Sequence, residues 1–169
     1  ILFIFEMVVE ILMFNNFDIS QLVSCCGTLY SSNNSSYISQ LFQIDNSIII
    51  SIFYIIFLAM VFFYIMKQKE LFALSNIFYL LSSILSLIIF FGTYIYELPT
   101  HHCPFCFLQK EYYHVGYLIY ILLFIGTFNG IVSGFMKENK RTLNSSLLFN
   151  FLYLLLVSAY PIIFYIKNG

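Results

Sequence analysis

Four long apolar runs, separated by short polar turns, fill the chain from residue 48 onward. Ile48–Met66, Leu71–Tyr96 and Ser145–Ile166 hold no charged residue. Phe107–Met136 carries Lys110, Glu111 and His114 in its first turns. About 20 apolar residues suffice for a helix to cross a bilayer, so each run predicts a transmembrane helix. The runs are continuous, whereas barrel strands alternate over about ten residues. Helices also satisfy their backbone hydrogen bonds internally, as hydrocarbon demands. Pro161 predicts a kink in the last turns of the fourth run. Gly126, Gly130 and Gly134 form a small-xxx-small row on the third, which favours close helix approach. Ile1–Phe14 is apolar but short, and it holds Glu6 and Glu10. It predicts the end of a span that starts upstream, with a surface-lying amphipathic helix as the alternative. Glu6 and Glu10, one turn apart, would be a proton-handling pair inside a bilayer or plain solvated carboxylates at its surface. The expected fold is an all-α integral membrane protein. It has one membrane domain over 1–169, with a bundle of four full spans, a partial fifth span at 1–14 and a loop at 15–47.

The basic residues orient these spans. Five of the seven lie in two turns, Lys67-Gln-Lys69-Glu and Lys137-Glu-Asn-Lys140-Arg141. Both turns fall on the same side of the membrane, and the positive-inside rule makes that side cytoplasmic. The Ser/Asn-rich loop 15–47, which has no Lys or Arg, and the turn Glu97–Cys106 then face outward.

Composition agrees. The chain is 61% hydrophobic and only 9% charged, against roughly 25% charged in soluble domains. A water-facing fold of this size could not hide so much apolar surface. The net charge of −1 gives no electrostatic case for nucleic acid. Lys outnumbers Arg six to one, and Phe, Ile, Tyr, Asn and Ser are abundant. That is the bias of an AT-rich genome, in which Lys stands in for Arg.

The orientation places all four cysteines on one face: Cys25 and Cys26 in the outer loop, Cys103 and Cys106 at the outer end of the third run. In a bacterium this is the oxidising, periplasmic side. Cys103-Pro104-Phe105-Cys106 suits the first turn of a helix, where two sulfurs approach bonding distance. Proline is favoured there, and the helix N-terminus would stabilise a thiolate. Such a pair is readily attacked and readily reduced. Helical spacing then puts Cys103, Cys106, Lys110, His114 and Tyr117 along one face. A static disulfide and a snorkelling Lys110 are the plainer readings. The adjacent pair Cys25-Cys26 is unusual. Neighbouring Cα atoms are about 3.8 Å apart, below the usual disulfide range of about 4.4–6.8 Å. A bond between them would be strained, and attack of one on Cys103 is the alternative, with Gly27 permitting the tight turn.

Cys103-Pro-Phe-Cys106-Phe-Leu-Gln109-Lys110 resembles the C-P-x-C-x-x-Q-R signature of the DsbB family of membrane disulfide oxidoreductases. The order of parts is similar instead to the vitamin K epoxide reductase family: outer-loop cysteines first, two spans, then the span with CxxC. The resemblance implies a redox helix bundle in a bacterial inner membrane. It implies Cys103 and Cys106 as the pair next to a quinone (ubiquinone or menaquinone), with Cys25 and Cys26 receiving electrons from a periplasmic thioredoxin-like thiol protein. Gln109, Lys110 and His114 would bind the quinone. Lys110 stands where the signature has arginine, and lacks its planar fork.

Two other classes compete. His101, His102, Cys103 and Cys106, with Cys25 and Cys26 overhead, offer soft ligands for zinc or Cu(I). A non-catalytic subunit of a membrane complex needs none of this chemistry. The Asn33 and Asn34 sequons arise freely in a Ser/Asn-rich stretch. No phosphate loop or Ser-His-Asp set is present.

Overall fold

The computed structural model describes residues 45–97, 102–135 and 140–168. Four helices there are long and apolar enough to span a membrane: α1 (Asn46–Ile65), α2 (Lys69–Tyr96), α3 (Val115–Phe135) and α4 (Lys140–Asn168). The protein is all-α in these residues and is a multi-pass membrane protein with four candidate spans. The expected span at Ile1–Phe14, Glu6 and Glu10, and the loop at 15–47 up to residue 44 lie outside the described residues.

Three of the four runs match their helices within a few residues at either end. α1 starts where Asp45 caps it, accepting from the Ser47 N–H at 3.0 Å. It ends with Lys67 in the left-handed region, φ 57°. The Lys67 N–H donates to the Tyr64 carbonyl and the Gln68 N–H to that of Phe63. This is the paired termination in which glycine is usual. α4 runs as one helix through the buried Pro161 to Asn168.

The third run needs correction. α3 opens at Val115, not Phe107. Cys106–Leu108 and Lys110–Tyr112 form separate 3₁₀ turns. Gln109 between them is extended, and Tyr113 and His114 are both left-handed, with φ 53° and 55°. These torsions interrupt the α-helical ladder. The interruption keeps the charged Lys110 out of the apolar span, where an ionised side chain is costly.

α2 is the central helix. Half of its most apolar window is buried, against 17–39% in the other three. Its buried face is polar for a membrane helix: Ser75, Asn76, Tyr79, Ser82, Ser83 and Ser86. The Ser75, Ser82 and Ser86 hydroxyls donate to carbonyls three residues earlier on α2. Across the helices, Asn150 Nδ2 of α4 donates to Asn76 Oδ1 at 2.9 Å, and Ser146 Oγ donates to the Gly126 carbonyl of α3 at 2.7 Å. The Tyr79 hydroxyl donates to the Asn150 carbonyl, and that of Tyr153 to the Ser83 carbonyl. Above this seam lies an aromatic core of Phe53, Tyr79, Phe91 and Tyr153. The outward faces carry Ile55, Leu58, Phe124 and Ile163, all exposed and suited to acyl chains.

The glycine row works as expected. A Cβ on Gly126 would lie 2.2 Å from Asn150 Oδ1 and 2.9 Å from the Asn150 backbone nitrogen, and one on Gly134 would lie 2.6 Å from Ala73 Cβ. Gly126→Ala is therefore expected to destabilise the folded protein by about 1–3 kcal/mol through overpacking. Phe124→Leu, on the outward face, should shift the thermal midpoint in detergent far less.

Candidate functional site

The Cys103–Cys106 turn sits where the C-terminal end of α2 meets the start of α3. Two tyrosines hold it. The Tyr96 hydroxyl, from the end of α2, donates to the Cys103 carbonyl. The Tyr120 hydroxyl, from the second turn of α3, donates to the Pro104 carbonyl. Both carbonyls belong to a non-helical turn with no regular ladder to join, and hydroxyl donors supply what secondary structure does not.

Phe107 anchors the turn from below. It is fully buried and stacks on Tyr96, with ring centroids 4.7 Å apart and 14° between planes. Tyr112 meets the Tyr96 ring edge-on at 4.8 Å. Two glycines make room. A Cβ on Gly116 would lie 2.9 Å from Phe107 Cβ, and one on Gly92 would lie 3.3 Å from the Phe107 ring. Gly92 follows a wider π-helical turn, Leu87–Phe91, inside α2. Such turns gather at functional sites. The Ile88 carbonyl within this turn accepts from His102 Nδ1 at 3.1 Å. In that contact the ring donates through its Nδ1–H. A stack of aromatic rings, two hydroxyl tethers and one imidazole tether therefore hold residues 102–107 against the helix ends.

Within this frame Cys103 is 1% exposed and Cys106 is half-buried. Gln109 and Lys110 are exposed. His114 is exposed as well, with its Nδ1–H donating to the Leu108 carbonyl at 2.7 Å. Tyr117 is exposed and its ring lies 5.9 Å from that of His114. Cys25, Cys26 and His101 lie outside the described residues.

Two expectations change. The cysteine turn does not open a spanning helix: the N-terminus that would stabilise a thiolate lies at Val115, beyond the motif. The single face joining Cys103, Cys106, Lys110, His114 and Tyr117 does not form, because the chain between them is two 3₁₀ turns and a left-handed pair. For the metal alternative, no three His, Cys, Asp or Glu side chains converge among the described residues. His102 commits its Nδ1 to a backbone carbonyl.

Tyr96, Tyr120, Phe107, Gly92 and Gly116 are the site residues that sequence reasoning missed. The signal for them is faint: two glycines and a phenylalanine near a CxxC, and tyrosines at apolar run ends. Compared with family models, curated proteins and solved structures, the chain matches none.

In the reduced protein, Cys106 is expected to alkylate faster than Cys103, reflecting their exposure. Tyr96→Phe removes one tether, worth about 0.5–1.5 kcal/mol. It should accelerate alkylation of Cys103 selectively, as mass spectrometry of the labelled peptides would report.

Proposed function

We propose that this protein is a membrane thiol–disulfide oxidoreductase with Cys103 and Cys106 as its redox pair. The observation that carries this reading is the placement of a CxxC turn, one sulfur buried and the other half-buried, tethered across the ends of two apolar helices. A buried sulfur beside a more accessible one divides the labour of exchange. The accessible sulfur takes part in the mixed disulfide, and the protected one leaves as the thiolate.

The chemistry balances as follows. A thiolate of a soluble, thioredoxin-like partner attacks the Cys103–Cys106 disulfide, or a disulfide in the Cys25/Cys26 region that then exchanges with it. A mixed disulfide forms, and the partner's second thiol releases it. The partner leaves oxidised, and Cys103 and Cys106 hold the two electrons and two protons as thiols. A membrane quinone would supply the acceptor for both electrons and both protons when the pair reoxidises. Gln109, Lys110 and His114 stand exposed between the cysteine turn and α3, and they would meet the carbonyl oxygens of such an acceptor. Lys110 brings a positive charge, and His114 an imidazole whose Nε2 can take or give a proton. The finer architecture belongs to the same proposal: a redox bundle of these four helices with a further N-terminal span, in a bacterial inner membrane with the cysteines outside.

Addition of a soluble quinone to reduced, purified protein is expected to remove two thiols per Cys103/Cys106 pair and to yield one quinol. Cys103→Ser and Cys106→Ser should each abolish that change. Lys110→Gln should raise the quinone concentration needed by about tenfold, the value of one charge-assisted contact at roughly 1.5 kcal/mol. An unchanged thiol count with quinone in excess would overturn the proposal.

A further inference from the structure

The end of the molecule opposite the cysteine turn contains a cavity of about 420 Å³. That volume lies within the about 300–1,000 Å³ usual for small-molecule sites. Lys67, from the turn after α1, Lys69, at the start of α2, and Lys140, at the start of α4, all line it. These are three of the seven basic residues in the chain. None of them has an ion-pair partner among the described residues; the one salt bridge there joins Lys167 to Glu97 at the other end.

Other features of the cavity match the same ligand. The first turn of α2 has no side-chain cap, because Gln68 at its N-cap makes no such bond. Its leading N–H groups add partial positive charge toward the cavity. The Tyr64 hydroxyl donates to Asn144 Oδ1 at 2.6 Å, and Asn144, which lines the cavity, keeps its amide N–H groups as donors. Phe63, Phe72 and Leu143 give the cavity an apolar lining, and Ile65 beside them is exposed on the outward surface. Lys67 is also held in the left-handed conformation at the helix stop, a place where glycine costs nothing. A lysine kept there supplies charge that the turn itself does not require. Glu70, on the same first turn of α2, does not line the cavity.

We infer that this cavity binds the phosphate headgroup of an anionic phospholipid, with Lys67, Lys69 and Lys140 around the phosphoryl oxygens and the acyl chains leaving over Phe63 and Ile65. The ligand is anionic, because three lysines and no carboxylate among the described residues line the cavity. It must be amphipathic, because the cavity opens between ends of membrane-spanning helices and half of its lining is aromatic or aliphatic. Basic pockets between helices at the cytoplasmic face recognise lipid headgroups on these principles. This is the end that carries both basic turns, which the positive-inside rule assigns to that face. The inference stands apart from the redox reading.

The test uses the full chain, purified and delipidated in neutral detergent, with phosphatidylglycerol and phosphatidylcholine of equal chain length as probes. Binding is read by native mass spectrometry. Phosphatidylglycerol is expected to bind at least tenfold tighter than phosphatidylcholine. Loss of one lysine should weaken it about fivefold, and the triple variant Lys67→Gly, Lys69→Gln, Lys140→Gln on the order of a hundredfold. Lys167→Gln, at the opposite end, should leave it unchanged. Lys67→Gly suits the left-handed backbone, so this variant alone should melt no lower than the parent without lipid, and it keeps the test valid if the triple variant fails to fold. Equal binding of the two lipids, or full binding by Lys67→Gly and Lys140→Gln, would overturn the inference. Displacement of phosphatidylglycerol by millimolar inorganic phosphate, with no dependence on acyl chains, would replace the lipid with a free anion and overturn it too.

Discussion

A polar group carried into hydrocarbon must find its partner inside the protein, because no solvent is there to supply one. The structure follows from how that constraint is met. α2 carries serines and an asparagine along its buried face: Ser75, Ser82 and Ser86 turn back on their own helix and Asn76 also crosses to α4, while the Ser83 hydroxyl has no partner among the described residues. Asn76 and Asn150 join α2 to α4, while Ser146 joins α4 to α3. Glycines at 126 and 130 bring the α3 backbone close enough for these contacts. Packing and polar pairing therefore act at the same points, and neither works without the other.

The same constraint shapes the cysteine turn. A stretch with a charged lysine and irregular backbone cannot continue a spanning helix at low cost. It is kept at the helix ends and closed by hydroxyl and imidazole donors. Tyr96, Tyr120 and His102 each meet a backbone carbonyl that has left the regular ladder or belongs to a widened turn. The buried position of Cys103 is a by-product of this closure. Its chemistry depends on neighbours chosen first to satisfy the backbone.

The spans were legible because hydropathy over some twenty residues averages out local detail. The same averaging hid the start of α3. Phe107, Leu108, Tyr112 and Tyr113 read as apolar, and nothing in their identity signals left-handed torsions at Tyr113 and His114. The CxxC and its flanking histidines were visible as a motif, since such residues are rare in a chain this apolar. Its tethers were not visible, because tyrosines near run ends are ordinary interface residues. Tyr96 and Tyr120 acquire meaning only when the loop brings them to one turn. The Asn76–Asn150 pair was hidden for a related reason: each is one amide in an apolar run, and only packing selects its partner.

The widened turn at Leu87–Phe91 has a consequence for how this chain can vary. One additional residue per turn advances the helix by about 100°. Gly92 and Tyr96 owe their inward bearing to that advance, since a regular helix continuing from Ser86 would aim other residues at the turn below. Insertion of one more residue between 87 and 91 would leave a span just as greasy and just as helical. It would also swing Tyr96 out toward the lipid and cut the cysteine turn loose, a loss of phase that no hydropathy profile would register.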